Sequence, residues 1–183
     1  MVQRIYLDTN IFIHCGLSQL DQGKAKRSKK LLEQISQGKY EGVVSTLCLL
    51  EICEVVRGLA VEVLGVNSPA DWKAMISSTI EFIFKNKNIK VIESNPEERL
   101  GTSKIKDLMY CSVVDDAHRM IVKYSGTTKE ERGKFVHKGV GCVDCLHLAL
   151  AKMVECDLIA TFDRGFEETR IEVEPLIIQD KVW

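Results

Sequence analysis

At 183 residues and 45% hydrophobic content, the chain is long enough for one globular core and needs neither disulfide staples nor a second domain. Its net charge of -1 excludes a wholly basic nucleic-acid binder, so any contact with a polyanion must come from local patches. No apolar run approaches the roughly 18 residues of a membrane span and no signal peptide is evident, so a soluble, cytoplasmic protein is expected.

The chain opens on Arg4-Ile5-Tyr6-Leu7-Asp8-Thr9-Asn10-Ile11. A short run suited to a buried strand leads directly into a carboxylate, a hydroxyl and an amide, which places the polar trio where the strand ends. Open α/β sheets keep their ligands at that edge. A short helix is expected from Ile11 to His14, then a loop over Gly16 to Gly23. Lys24 to Gln37 reads as an amphipathic helix with Ala25, Ser28, Leu31, Leu32 and Ile35 inward and Gly38 closing it. Its outer face carries Lys24, Lys26, Arg27, Lys29 and Lys30, either a solvated helix face or a set of RNA contacts.

Tyr40 to Ser45 is the second predicted strand, and Ser45 or Thr46 can cap the helix that follows, from about Leu47 to Leu59. Its expected apolar face is Leu49, Ile52, Val55, Val56 and Leu59, with Glu51 in its first turns. A break over Val61 to Pro69 precedes a helix from Asp71 to Lys85, and Asn88 to Ser94 supplies a third strand. Glu97 to Tyr124 is expected to be helical, with weak points at Gly101-Thr102-Ser103 and at Asp115-Asp116. Ser125 to Val140 is polar and glycine-punctuated, a surface loop or a flap. Val143 to Val154 is a nearly all-apolar helix carrying Asp144 and His147. Asp157 to Thr161 is the fourth strand, Asp163 follows it, and Arg170 to Val173 is expected as a charged edge strand.

Four acids thus occupy comparable places: Asp8 after a strand, Glu51 and Asp144 near helix starts, Asp163 after a strand. Four carboxylates in one pocket cannot all stay ionised without a cation, and hard oxygen ligands point to magnesium or manganese. Asp115-Asp116 also precedes an apolar helical run, but reads better as a helix cap. His147 shares a helix face with Asp144 and is expected to be a hydrogen-bonded structural residue, because no second histidine stands at ligand spacing. Seven cysteines, an odd number, favour reduced thiols, and Cys142-x-x-Cys145 lacks the second half of a zinc motif.

Taken in order, LDTNI, STLCLLEI, VDCLHLALA and IATFDRGF resemble the motifs of the PIN domain family, the metal-dependent ribonuclease fold of VapC-type toxins. The resemblance covers roughly the first 60 and last 45 residues. It implies an α/β fold of three layers, with a central, mostly parallel sheet of about five strands flanked by helices. It further implies a single domain over 1–183 with a helical and loop insertion around 62–140, a departure from compact toxin-like chains.

The activity it implies is hydrolysis of RNA phosphodiester bonds by metal-activated water, in a toxin with an antitoxin partner or in a stand-alone processing nuclease. Asp8 and Asp144 would be direct ligands of magnesium or manganese, and Asp163 a ligand or a water-mediated one. Glu51 would be the water-positioning base or a ligand of a second ion. Asn10 and Thr161 would orient these groups from behind. A homodimer through the apolar surface of residues 71–84 is also expected. The competing expectation is a noncatalytic RNA-binding or scaffold module on the same fold. A haloacid-dehalogenase-like phosphatase is set aside because Asn10 stands where that chemistry needs a second acid.

Overall fold

The computed structural model describes residues 2–66, 68–92, 116–124, 128–131, 134–137, 140–169 and 173–178. In chain order these form β1 (Gln3–Leu7), α1 (Thr9–Gly16), α2 (Gln22–Ser36), β2 (Tyr40–Ser45), α3 (Thr46–Glu62), α4 (Pro69–Lys85) and β3 (Ile89–Ile92). There follow α5 (116–124), β4 (Thr128–Glu131), β5 (Lys134–His137), α6 (Cys142–Met153), β6 (Leu158–Thr161), a 3-10 turn at Arg164–Thr169 and β7 (Glu174–Ile177).

Five strands make one sheet in the order β3-β2-β1-β6-β7, every neighbouring pair parallel. The opening strand is the middle of it. Ile5, Tyr6 and Leu7 are fully buried, and their alternation sorts the core into two layers. Ile5 and Leu7, with Val44 and Ala160, face one apolar cluster that includes Phe12, Leu31, Leu32, Ile52 and Ile83. Tyr6, with Val43 and Ile159, faces the other, built with Met120, Tyr124, Leu148 and Phe166. The result is the expected α/β architecture, a parallel sheet between helical layers.

Local signals account for most boundaries. The inward stripe of α2 is Ala25, Ser28, Leu31, Leu32 and Ile35. Gly38 closes this helix at φ 76, a left-handed conformation that favours glycine, and Lys39 donates its N–H to the Gln34 carbonyl at 3.0 Å. Ser45 caps α3 by accepting from the Cys48 N–H at 3.3 Å. Gly42 lies where a side chain would come within 3.3 Å of Leu7, Ile35 and Ile89, so its lack of a Cβ lets helix and strands close over β2.

Several expectations are corrected. The buried stripe of α3 is Cys48, Ile52, Val56 and Ala60, while Val55 is exposed. One stripe at strict i, i+4 spacing satisfies the sheet, and small residues let the helix approach. The described edge strand is Glu174–Ile177, and it contains Pro175. Proline is tolerated there because an edge strand need not donate on its outer side. Residues 170–172 lie outside the described residues. β6 stands inside the sheet, between β1 and β7. The stretch from Ser125 to Val140 holds an antiparallel hairpin, β4 with β5, instead of an unpaired loop. Asp116 starts α5 and pairs with Arg119, while Asp115, Gly101-Thr102-Ser103 and Cys111 lie outside the described residues. Among the described residues no helix is long and apolar enough to cross a membrane.

Because Ile5 fills the central strand with no exposure, Ile5→Ala is expected to cost about 2–5 kcal/mol through its cavity. Urea denaturation should show a lower midpoint at unchanged slope; an unchanged midpoint would contradict the central placement of β1.

Candidate active site

The site lies at the C-terminal ends of β1, β2 and β6. The β1–β6 register pairs Leu7 with Ala160, and the Asp8 N–H donates to the Ala160 carbonyl at 3.1 Å. Asp8 therefore stands beside Thr161, the last residue of β6. Thr161 Oγ1 donates to Asp8 Oδ2 at 2.6 Å and Asn10 Nδ2 donates to the same oxygen at 2.5 Å. Asn10 Nδ2 also reaches Thr161 Oγ1 at 3.0 Å, and the Asp163 N–H donates to that hydroxyl at 2.9 Å. A threonine closing one strand thus ties together the carboxylates that follow two strands.

Asp144 is carried on the first turn of α6 and turns back to accept from the Gly141 N–H through Oδ2 at 3.0 Å. A Cβ at Gly141 would come within 2.8 Å of that oxygen, so glycine is what lets the carboxylate fold over the helix start. Asp163 Oδ1 accepts from the Gly165 N–H at 2.7 Å. Glu51 Oε2 accepts from Thr9 Oγ1 at 2.5 Å and meets His147 Nε2 at 2.5 Å.

His147 is fully buried, and its other ring nitrogen, Nδ1, lies 2.7 Å from Tyr6 Oη. Tyr6 Oη is also 2.7 Å from Ser45 Oγ. With Glu51 ionised, one proton arrangement satisfies the whole chain. Ser45 donates to Tyr6, Tyr6 donates to Nδ1, and Nε2–H donates to Glu51. Sequence reasoning expected a hydrogen-bonded histidine here but missed its partners, which belong to β1, β2 and α3. Thr9 was likewise missed.

The electrostatics record the crowding of the acids. Burial, with the charges of Asp144 and Glu51, raises the Asp8 carboxyl from 3.8 to about 6 despite the Thr161 hydrogen bond. Burial likewise raises Asp144, with the Asp163 and Glu51 charges adding to it and the Gly141 N–H opposing it. Burial is also the largest influence on Glu51 and acts upward, but the bonds from His147 and Thr9 outweigh it and hold this carboxyl below its usual range. Asp8 thus feels the charges of Asp144 and Glu51, and Asp144 those of Asp163 and Glu51.

Among the described residues the hydrogen bonds to these carboxylates fall on Oδ2 of Asp8, Oε2 of Glu51, Oδ2 of Asp144 and Oδ1 of Asp163. The donor set fits a hard divalent cation in kind, all oxygen and anionic with a second oxygen to offer on each acid. Among the described residues no three His, Cys, Asp or Glu side chains already form a group able to hold a metal ion. The Cys142-x-x-Cys145 pair is split between an exposed and a buried thiol.

The five basic residues of α2 divide. Lys24 and Arg27 lie over the ring of Phe162, at 5.5 and 5.7 Å from its centre, next to Asp163 in sequence. Lys26, Lys29 and Lys30 instead line a separate cleft of about 710 Å³ with Gln19, Gln22 and Glu33.

Because the folded chain holds the Asp8 proton to higher pH than the unfolded chain, this group lowers stability as pH rises from 3.8 toward 6 and keeps it lowered above that. In EDTA, Asp8→Asn should therefore melt several degrees above wild type at about pH 7, with the gap closing toward about pH 4. A gap independent of pH would contradict the burial of an ionised Asp8. Tyr6→Phe removes the link between Ser45 and His147, and chemical denaturation should register a loss of about 1–3 kcal/mol from the two buried groups left unpaired. A neutral result would mean that the hydroxyl bonds do not hold His147.

The PIN domain family model matches residues 5–172, most of the chain. The fold is similar to the crystal structure of VapBC2 from Rickettsia felis bound to a DNA fragment from their promoter. The TM-score is 0.55 and the identity 13%, covering 94% of this chain and 97% of that one. Among curated proteins none matches the chain in sequence. With the family model spanning the strands and helices around all four acids, the chain belongs to the PIN domain family, whose members are generally nucleases.

Proposed function

We propose that this chain is an endoribonuclease that hydrolyses RNA phosphodiester bonds with the help of magnesium or manganese. What supports this reading is that Asp8, Glu51, Asp144 and Asp163 follow strands or open helices at the C-terminal end of the sheet, with the charges of Asp144 and Glu51 acting on Asp8 and that of Asp163 acting on Asp144. Bound there, the divalent ion supplies Lewis-acid stabilisation of the phosphate and lowers the pKa of a water nucleophile.

The residues themselves supply placement. Asp8 and Asp144 are the direct ligands in this reading, and Asp163 contributes directly or through a water. Thr161 and Asn10 fix the Asp8 carboxylate so that its free oxygen keeps one direction. Glu51, held ionised by His147 and Thr9, orients water for attack or binds a second ion. The reading treats residues 1–183 as one domain, in which the stretch around 62–140 supplies α4 and β3 to the central fold.

Partners follow from the neighbour in fold, a VapBC2 complex, whose name supports a small antitoxin as the protein that silences this nuclease. Phe82 and Phe84 on α4 and Leu50 on α3 are exposed apolar residues suited to such a contact, or to a second copy of the chain. The cytoplasm is the expected compartment.

Cleavage of a mixed RNA pool by wild type and Asp8→Asn, with magnesium, manganese or EDTA, tests the assignment. Cutting that requires the metal, leaves 5′-phosphate ends and falls at least about 100-fold in the variant is expected. Equal inactivity with equal RNA binding would instead favour a noncatalytic RNA-binding module, and equal cutting would place the chemistry elsewhere.

A further inference from the structure

Phe162 stands between the two residues that anchor the carboxylate cluster, Thr161 and Asp163, and its N–H donates to Asn10 Oδ1 at 3.3 Å. Its ring collects three nitrogenous side chains from two helices. The Lys24 ammonium and the Arg27 guanidinium, one helical turn apart on α2, lie 5.5 and 5.7 Å from its centre. The His14 imidazole of α1 meets it edge-on at 5.2 Å, with the two planes at 84°. Two cations side by side repel, and the face of an aromatic ring is one of the few neutral surfaces that attracts both. Lys24 makes no ion pair with any acid among the described residues. Asp21, at the foot of α2, is the nearby counter-charge, and its carboxylate already accepts the Lys24 N–H at 2.9 Å.

From this juxtaposition we infer that Phe162, Lys24 and Arg27 form a phosphate-binding subsite. It takes a phosphodiester of the RNA strand beside the one cleaved. This rests on the nuclease reading of the four acids and extends it to the substrate. An acidic, metal-dependent centre repels the strand it must hold, so neighbouring phosphates need cations of their own. Lys24 and Arg27 provide them, held over the Phe162 ring beside Thr161 and Asp163. His14 is kept below its ordinary range by burial and by Lys24, so it braces the ring and adds no charge of its own near neutral pH. The spacing of Lys26, Lys29 and Lys30 turns them to another side of α2, where they line their own cleft, and the subsite excludes them.

The test is anisotropy of a fluorescein-labelled oligouridine with the full chain in EDTA, read as the slope of log affinity against log salt. Lys24→Gln and Arg27→Gln should each flatten the slope by about 0.7, the value for one phosphate contact on a single strand. Lys26→Gln with Lys30→Gln should leave it unchanged. Phe162→Leu, which keeps an apolar side chain but no aromatic face, should weaken binding severalfold at an unchanged melting temperature. A wild-type slope in the Lys24→Gln/Arg27→Gln double variant overturns the subsite. If that variant also cuts RNA normally in magnesium, the nuclease reading survives without it. A chain that neither binds nor cuts RNA overturns both.

Discussion

A buried carboxylate at the end of the central strand is the constraint on which the rest of the structure depends. Asp8 is 5% exposed and faces other acids, an arrangement that water would normally forbid. It is held there because Thr161 and Asn10 both donate to one of its oxygens, and because β1 is locked between β2 and β6. The apolar core on both faces of β1 supplies the stability against which this unfavourable group is maintained. Ile5 and Leu7 on one side and Tyr6 on the other leave the strand no freedom to slip, since a shift of one residue would exchange the two faces.

The same strand links the two ways in which the acids are controlled. Its backbone sets Asp8 beside Thr161, and its Tyr6 side chain, pointing into the opposite layer, reaches His147 and through it Glu51. One carboxyl is thereby raised and another lowered within a single cluster, the pattern by which environment assigns different tasks to chemically equivalent groups. In the proposed nuclease a cation would relieve the raised pair, while Glu51 would keep its charge. A site in which all four acids were equally solvated would have neither tendency. The surrounding charges include Lys24 and Arg27, which lie over the ring of Phe162, the residue between Thr161 and Asp163.

How much of this was legible in the residues depends on the range of the interaction involved. Periodicity within one helix exposed the inner stripe of α2 down to its individual residues, and the Ser45 cap followed from its place before an apolar run. The four acids were proposed from their places immediately after a strand or near a helix start, since parallel strands bring such ends together. The α3 stripe was misjudged by including Val55, since leucine and valine read as inward while Cys48 and Ala60 make the actual contact. The strand at Glu174–Ile177 was not anticipated because Pro175 argues against a strand everywhere except at a sheet edge.

The class of fold and the place of a polar trio directly after the first strand were readable in the residues alone, because these depend on local pattern and on the geometry shared by all parallel α/β sheets. The order of strands, the two-layer division of the core and the hairpin at Thr128–His137 were decided by tertiary structure. So was the pairing of Tyr6 with His147 across 141 positions of sequence. Which oxygen of each carboxylate is engaged, and which lysines share a face with the site, depend on side chains delivered by separate crossovers. No local pattern encodes the meeting of such groups, since it exists only once the sheet has closed around them.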